Sequence, residues 1–385
     1  MNTLEWLQRL IAFDTTSCNS NMELIDCVQD WFLHHRIHSR LTHARTAAKA
    51  NLFATLKAHD GSTEGGIIFS GHTDVVPVDG QQWDTHPFEA VQIENKIYGR
   101  GACDMKGFLA VVLALVPEFE KLTLSQPIHF AFSYDEEIGC QGVPWLIADL
   151  QKAGIKPKGC IVGEPTDMHP VVAHKGIQVF RCEVRGLSAH SSLTPHACNA
   201  IEYAAKLICY VRELADELRR RGPFDQHFDV PFTSVSTNRI NGGTAHNIIP
   251  AQCEFIFEFR HLPQVEPHEI IDRINAYIQD ELLPQMQREW INAEIVVDSI
   301  ATVPSFESSE ETAINHIAYA ITGKDEIRKV AYATEAGLFQ QAHIPTIVCG
   351  PGSIEQAHRP NEFVTIEQLR RCEMFLRRVV SEIVN

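Results

Sequence analysis

A histidine and an aspartate follow an apolar segment near residue 70. His72 and Asp74 lie in SGHTDVVP, residues 70–77, directly after a run that we predict as a buried strand. If the backbone stays extended there, both side chains point to the same side. His72 can then bind a metal ion while Asp74 accepts the N–H of the second ring nitrogen. Considered alone, the pair is explained more simply as a structural histidine beside a solvated aspartate.

Carboxylates recur at three further positions next to predicted strands or turns. Asp104 lies in GRGACDMKG, between a glycine-rich turn and an apolar helix, and Glu164 follows a short apolar strand. Glu136 and Glu137 follow another strand, in YDEEIG. On an extended backbone these neighbours point in opposite directions, so one can bind metal while the other faces water. A helix N-cap for Asp104 and a solvated acidic loop for the pair remain alternatives.

A second histidine completes a set of possible metal ligands. His358 ends the loop GPGSIEQAH, where a single histidine on its own is more often structural. Taken together, the segments offer two imidazoles and several carboxylates, a donor set that suits Zn²⁺, Co²⁺ or Mn²⁺. A structural four-cysteine zinc site is not indicated. Because sites in α/β sheets form at the carboxyl ends of strands, we expect these side chains to converge there.

The elements that must position these residues alternate between strands and helices. This alternation predicts an α/β fold with a mainly parallel sheet and helices on both faces. After residue 177 an alternating strand, an alanine-rich helix and further strands indicate a smaller inserted α+β domain. We therefore predict a catalytic domain formed by residues 1–177 and 300–385, with the inserted domain at residues 178–299.

Composition excludes several classes of protein. A chain of 385 residues exceeds what one hydrophobic core usually serves, which favours two domains. The net charge of −16 argues against nucleic acid or an anionic membrane as a partner. We find no apolar run of membrane-spanning length and no phosphate-binding glycine motif after a predicted strand, and we expect no secretory signal. Eleven cysteines without a CxxC pair favour the reducing cytoplasm.

Taken in order, these motifs resemble those of the dinuclear-zinc aminoacylase and carboxypeptidase-G2-like metallohydrolases. The resemblance covers essentially the whole chain and includes GEPT at 163–166 and AHKG at 173–176. It implies two divalent ions, zinc or cobalt, and a non-proline cis peptide after the bridging residue. The implied ligands are His72 and Glu164 for one ion, Glu137 and His358 for the other, and Asp104 bridging both.

The resemblance also implies roles outside the ligand set. Asp74 would orient His72, and Glu136 would be the general base. His190, in GLSAHS, would stabilise the oxyanion and, in related dimers, reach the partner's active site. Asn247 and Arg260 would hold carboxylate or carbonyl groups of the substrate. We therefore expect an N-acyl amino acid as the substrate and a homodimer formed through residues 178–299, which would also serve as a lid.

One segment bears on the choice of substrate. TEAG, residues 334–337, is closer to relatives that release acetate and L-ornithine from N2-acetyl-L-ornithine, a step of arginine biosynthesis, than to succinyl-diaminopimelate desuccinylases. Our hypothesis is that Glu335 binds the cationic side chain of that substrate. A helix N-cap at Thr334 followed by a first-turn glutamate explains the segment equally well.

Other functions share the same site. Succinyl-diaminopimelate desuccinylase, a broader N-acyl-amino-acid deacylase and a dipeptidase are the enzymatic alternatives. A family member that binds a ligand without turnover is the alternative outside enzymes. Glu136 argues against that last reading, because binding alone requires no general base.

Overall fold

The computed structural model describes residues 1–45, 48–309, 311–323 and 326–383, and the chain divides into two units. Unit 1 consists of Met1–Ala173, Phe306–Arg328 and Thr334–Asn385. Unit 2 consists of His174–Ser305 and Lys329–Ala333. In the described residues no helix is both long enough and apolar enough to cross a membrane.

The helices occur in both units. Several begin or end where the sequence favours it, as at Asn199, whose side chain accepts the N–H groups of Ile201 and Glu202. The α-helices are α1 (Thr3–Ile11), α2 (Met22–His34), α3 (Lys106–Phe119), α4 (Val143–Lys152), α5 (Ala200–Arg221), α6 (Pro267–Tyr277), α7 (Leu283–Glu289), α8 (Ala313–Thr322), α9 (Ala336–Gln341) and α10 (Ile366–Ile383).

Most strands belong to one sheet in each unit. The strands are β1 (Ser39–His43), β2 (Ala50–Leu56), β3 (Ile67–His72), β4 (Val91–Ile93), β5 (Lys96–Tyr98), β6 (Ile128–Ser133), β7 (Gly159–Pro165), β8 (Val171–His174), β9 (Gly176–Arg185), β10 (Ala189–His190), β11 (Ser234–Gly242), β12 (Ile248–Ile249), β13 (Gln252–His261), β14 (Glu294–Val303), β15 (Phe306–Glu307), β16 (Arg328–Val330), β17 (Thr346–Gly350) and β18 (Phe363–Thr365).

The large sheet of unit 1 has a parallel centre. Its strand order is β1-β2-β6-β3-β7-β17-β8-β15. The neighbours β6-β3, β3-β7 and β7-β17 are parallel, whereas β1-β2, β2-β6 and β17-β8 are antiparallel. The central strands β3, β6 and β7 are buried along their whole length, because helices cover both faces. The predicted α/β fold is confirmed.

Alternate residues of the central strands face two different helical layers. Phe69, Phe130 and Ile161 join a hydrophobic core with α1, α2, α3, α8 and α10. Side chains alternate along a strand, so Ser70 and Ser133 face the opposite layer, where both donate hydrogen bonds to Glu335, the residue before α9. The helix α4 packs against α9, β2 and β6 in that layer.

Unit 2 is built on an antiparallel sheet in the order β11-β13-β9-β14. On β13, burial alternates along the strand, and Phe255, Phe257 and Phe259 are buried. The helix α5 packs against β11, β13 and β9. A π-helical turn at Ile278–Leu282 joins α6 to α7.

A close approach between β7 and α3 gives a prediction for stability. A Cβ atom added at Gly163 would overlap the buried ring of Phe108. Such overpacking typically costs about 1–3 kcal/mol. We therefore expect Gly163→Ala to lower the midpoint of urea unfolding. Gly159→Ala in the same strand is the matched control, since its Cβ would meet Ile314 at an ordinary 3.6 Å. Equal midpoints for the two variants would contradict the prediction.

Candidate metal centre

The strand order of unit 1 brings the predicted ligands to one edge of the sheet. His72 ends β3, and Glu164 lies in the neighbouring strand β7. On the other side, Ser133 ends β6 opposite His72, and Glu136 and Glu137 follow it closely. Because the three strands are parallel, their carboxyl ends meet at the same edge. Asp104, in the turn before α3, reaches this edge as well.

Asp104 lies between the two imidazoles, with one carboxylate oxygen towards each. Its Oδ1 is 3.0 Å from His72 Nε2, and its Oδ2 is 3.4 Å from His358 Nε2. Glu164 Oε1 is 3.7 Å from the same nitrogen of His72. Glu137 Oε2 is 2.9 Å from His358 Nε2. The structure therefore brings all five predicted ligands together.

The distances between ligand atoms are suited to metal ions. In two groups every ligand atom lies within 4.8 Å of the others: His72, Glu136 and Glu164 form one group, and His72, Asp104 and Glu137 form the second. Glu136, predicted as the general base, is thus close enough to act as a ligand itself. The assignment of each residue as ligand or base stays a prediction.

Burial shapes the charge state of these carboxyl groups. Burial, reinforced by neighbouring carboxylates, raises the pKa of Glu136 to about 8 and that of Glu137 to about 7. The same causes raise the pKa of Glu164. Burial acts on Asp104 too, but hydrogen bonds from His358 and His72 lower its pKa below the ordinary value. A buried group of carboxylates with imidazoles fits divalent cations, whose charge would favour the ionised acids.

Asp74 organises the turn that carries the acidic pair. Its carboxylate accepts hydrogen bonds from Ser17 Oγ at 2.7 Å, Glu136 N at 3.1 Å and Glu137 N at 3.3 Å. His72 Nδ1 lies 2.9 Å from the backbone carbonyl oxygen of Asp74 and 3.6 Å from its carboxylate. The nearer partner of the ring is therefore the backbone and not the carboxylate named from the sequence.

Two local predictions about the acidic segments are corrected by the backbone. The chain at Glu136 and Glu137 is not extended, because the N–H groups of Gly139 and Cys140 both bond to the carbonyl of Glu136. Both carboxylates consequently reach the same cluster instead of pointing apart. The N-cap position of α3 is Met105 and not Asp104, and the Asp104–Met105 peptide bond is cis, as the resemblance implies.

Glu335 lies behind the strand ends, on the α9 face of the sheet. Its side chain is fully buried, and its two oxygens accept hydrogen bonds from Ser70 Oγ at 2.5 Å and Ser133 Oγ at 2.8 Å. Burial raises the pKa of its carboxyl group. Thr334 Oγ1 accepts the N–H of Ala336 at 3.0 Å, but the N-cap position of α9 is Glu335, so the alternative of an N-cap at Thr334 with a first-turn glutamate is wrong. A role for Glu335 in binding substrate stays a prediction.

The remaining predicted residues belong to unit 2. His190 is exposed, with Nδ1 2.8 Å from Ser192 Oγ, and it pairs with Ile248 in the small β10-β12 sheet. Asn247 is next to that pair, and its carbonyl accepts the N–H of Ser191. Arg260 lies in β13 and binds Glu258. The structure thus brings His190 and Asn247 together, with Arg260 in a different sheet.

Glu362, which was not predicted from the sequence, contacts the site through backbone N–H groups. The buried carboxylate of Glu362 accepts N–H groups of the turn before Asp104, and Arg100 pairs with it. Glu362 follows His358 by four positions, which is a weak signal. Glu362 lies 258 residues after its donor Asp104 and 259 after its donor Cys103, so no spacing rule connects them.

Comparison with known proteins agrees with this arrangement. The model of peptidase family M20/M25/M40 matches residues 68–382. The acetylornithine deacetylase of Pasteurella multocida strain Pm70 is 32% identical over 389 aligned residues, covering 98% of this chain and 97% of that protein.

Solved structures share the fold. An M20 family metallo-carboxypeptidase from Sulfolobus solfataricus has a TM-score of 0.79 at 18% identity, covering 99% of this chain and 98% of that one. A dinuclear metal-binding M20 peptidase from Bacillus subtilis has a TM-score of 0.65 at 15% identity, covering 98% and 96%. With its ligand cluster and the family match over residues 68–382, the chain belongs to peptidase family M20/M25/M40 and is a metallohydrolase.

Proposed function

We propose that this protein is a two-metal amidohydrolase that removes the acetyl group from N2-acetyl-L-ornithine, giving L-ornithine and acetate. The observation that carries the proposal is the convergence of two imidazoles and four carboxylates at the strand ends. Identity of 32% to an acetylornithine deacetylase across nearly the whole chain supports the choice of substrate.

The proposed ligand assignment follows the cluster. His72 and Glu164 would hold one ion, Glu137 and His358 the other, and Asp104 would contact both, because its two oxygens face the two imidazoles. We propose zinc or cobalt, which this donor set accepts. Bound ions would polarise the acyl carbonyl and lower the pKa of a water molecule.

The proton transfers are assigned to Glu136. Its carboxylate would take a proton from the attacking water and then deliver that proton to the nitrogen of the leaving amine. The carboxylate of Asp74 accepts the backbone N–H of Glu136, and this hydrogen bond fixes the backbone position from which the Glu136 side chain extends. With this assignment, one carboxylic acid is free for proton transfer beside the five carboxylate or imidazole groups proposed to hold metal.

Unit 2 contains the residues proposed to act on the substrate itself. His190 would donate a hydrogen bond to the oxyanion, while Asn247 and Arg260 would hold the substrate's carboxylate or carbonyl groups. We propose that residues 178–299 form a lid and dimerisation domain between catalytic segments at 1–177 and 300–385. Eleven free cysteines support a cytoplasmic location.

Substrate profiling tests the proposal directly. We expect the chelated protein to be inactive and added zinc or cobalt to restore hydrolysis, with the highest kcat/KM for N-acetylornithine. N-succinyl-diaminopimelate, acetylmethionine and a dipeptide are the comparison substrates. Metal-restored activity that favours one of these three would contradict the substrate assignment and keep the mechanism. An absence of metal-dependent turnover on all four would contradict both.

Variants of the two neighbouring glutamates can distinguish a loss of proton transfer from a loss of metal binding. We expect Glu136→Gln to lower kcat by about 10²- to 10⁴-fold, since general acid–base catalysis contributes that much, while both metals remain bound. Glu137→Gln, the matched variant, should instead lose metal. Elemental analysis gives the metal content of each variant, and isothermal titration calorimetry gives its affinity for added metal. Loss of metal from Glu136→Gln would show that Glu136 is a ligand, as one of the two candidate groups allows.

Glu335 can be tested by comparing substrates. If it binds the cationic side chain, Glu335→Ala should raise KM for N-acetylornithine by about 10- to 150-fold, since a charge-assisted hydrogen bond contributes ~1.5–3 kcal/mol, and leave KM for acetylmethionine unchanged. If Glu335 serves only to accept the hydrogen bonds of Ser70 and Ser133, its removal should change KM equally for both substrates. An unchanged KM for N-acetylornithine rules out the recognition role.

A further inference from the structure

A single buried carboxylate collects the backbone N–H groups of the turn that presents Asp104. Glu362 is 1% exposed. Its Oε1 accepts the N–H groups of Cys103 at 2.8 Å and Asp104 at 3.0 Å, and its Oε2 accepts that of Gly101 at 3.1 Å. Three amides of one short turn therefore share one acceptor group, which fixes the backbone of Asp104 itself.

This turn has little regular structure to hold it in place. It precedes the first turn of α3, where N–H groups have no partner within the helix. Gly99 and Gly101 adopt φ of 157° and 80°, so the backbone there departs from helix and strand geometry. Buried N–H groups without acceptors are costly, and Glu362 supplies the acceptors that this turn lacks.

Arg100 extends the network from Glu362 to the loop of His358. Its guanidinium, on a residue that is 1% exposed, donates through Nη1 to Glu362 Oε2 at 2.8 Å and through Nη2 to Gln81 Oε1 at 2.6 Å. Gln81 Nε2 in turn donates to the carbonyl oxygen of His358 at 2.9 Å. A second contact runs from Arg100 Nη1 to the carbonyl of Arg359 at 3.3 Å. A planar guanidinium can hold these three acceptors together, which a lysine ammonium on a flexible stem cannot reproduce.

We propose that Glu362, Arg100 and Gln81 are positioning residues that fix Asp104 and His358 relative to each other. The inference rests on the proposed function, because it assigns the network to the metal centre. None of the three side chains is among the candidate ligands. Each acts through the backbone of a ligand or of its neighbour, so the network sets the spacing between the bridging carboxylate and the second imidazole.

Substitutions of different members of this network should change the metal affinities of the two sites in different ways. Glu362→Gln replaces one of the two accepting oxygens with an NH₂ group, which cannot accept the hydrogen bonds made there, and this disturbs Asp104 and hence both metal sites. Outer partners of metal ligands typically contribute 10- to 100-fold in affinity, so we expect both dissociation constants to rise by about that factor. Gln81→Ala releases the His358 loop and keeps the Glu362 contacts, so the site of Glu137 and His358 alone should weaken.

Titration calorimetry of the full chain with zinc, and the visible absorption spectrum of the cobalt-loaded protein, measure this pattern. Glu137→Gln and Glu164→Gln assign each binding step to one site. Arg100→Lys keeps the charge and should weaken both sites less than Glu362→Gln. If Glu362→Gln fails to fold, Arg100→Lys and Gln81→Ala carry the test. The matched control is Asp225→Asn, which removes a partly buried ion pair with Lys329 in unit 2 and should leave both affinities unchanged.

The possible results separate the two proposals. Unchanged affinities and an unchanged cobalt spectrum in folded Glu362→Gln, or equal losses in Asp225→Asn, would overturn the inference alone. Equal weakening of both sites by Gln81→Ala would overturn the link to His358. A wild-type protein that binds neither zinc nor cobalt would overturn the proposed function and this inference with it.

Discussion

Several acidic side chains share a largely buried space at the carboxyl ends of β3, β6 and β7, and the cost of burying their charges beside one another is the constraint on which this site depends. Desolvated like charges at these separations cannot all ionise unless positive charge lies among them. The two imidazoles contribute part of that charge, and divalent ions would contribute the rest. Two further carboxylates, those of Asp74 and Glu362, stay out of the cluster and take backbone N–H groups instead. They hold the turns from which the cluster residues project.

The sheet explains how distant segments meet. In the order β6-β3-β7 the strand of His72 lies between the strand that precedes the acidic pair and the strand of Glu164. Burial of Phe69, Phe130 and Ile161 on one face fixes the register of these strands, because a shift by one residue would turn every side chain to the other face. The register that buries the aromatic core therefore also aligns the ends of the strands, where the ligands are.

Much of this arrangement could be predicted from the sequence, and the failures have a common cause. The apolar runs before His72, Glu136 and Glu164 predicted three buried strands of one sheet, because hydrophobic patterning is local information. The turn at Glu136 and Glu137 was missed, since it depends on N–H groups bonding to Asp74, 62 and 63 residues earlier. The contacts of Glu335 with two serines from separate strands were missed as well, because no local pattern shows which side chains meet its oxygens.

The order in which the strands of the large sheet are translated has a consequence for folding during protein synthesis. The strand β17 pairs with β7 in the middle of the finished sheet, yet it is translated only after all of His174–Ser305. While the ribosome makes that stretch, the nascent chain already carries β7 with an open edge, and a strand edge of this kind is a template for pairing with other chains. Unit 2 is almost continuous in sequence and can form in this interval, since domains generally fold as units during synthesis. The interval before β17 emerges is therefore when chaperones would protect the growing polypeptide from aggregation.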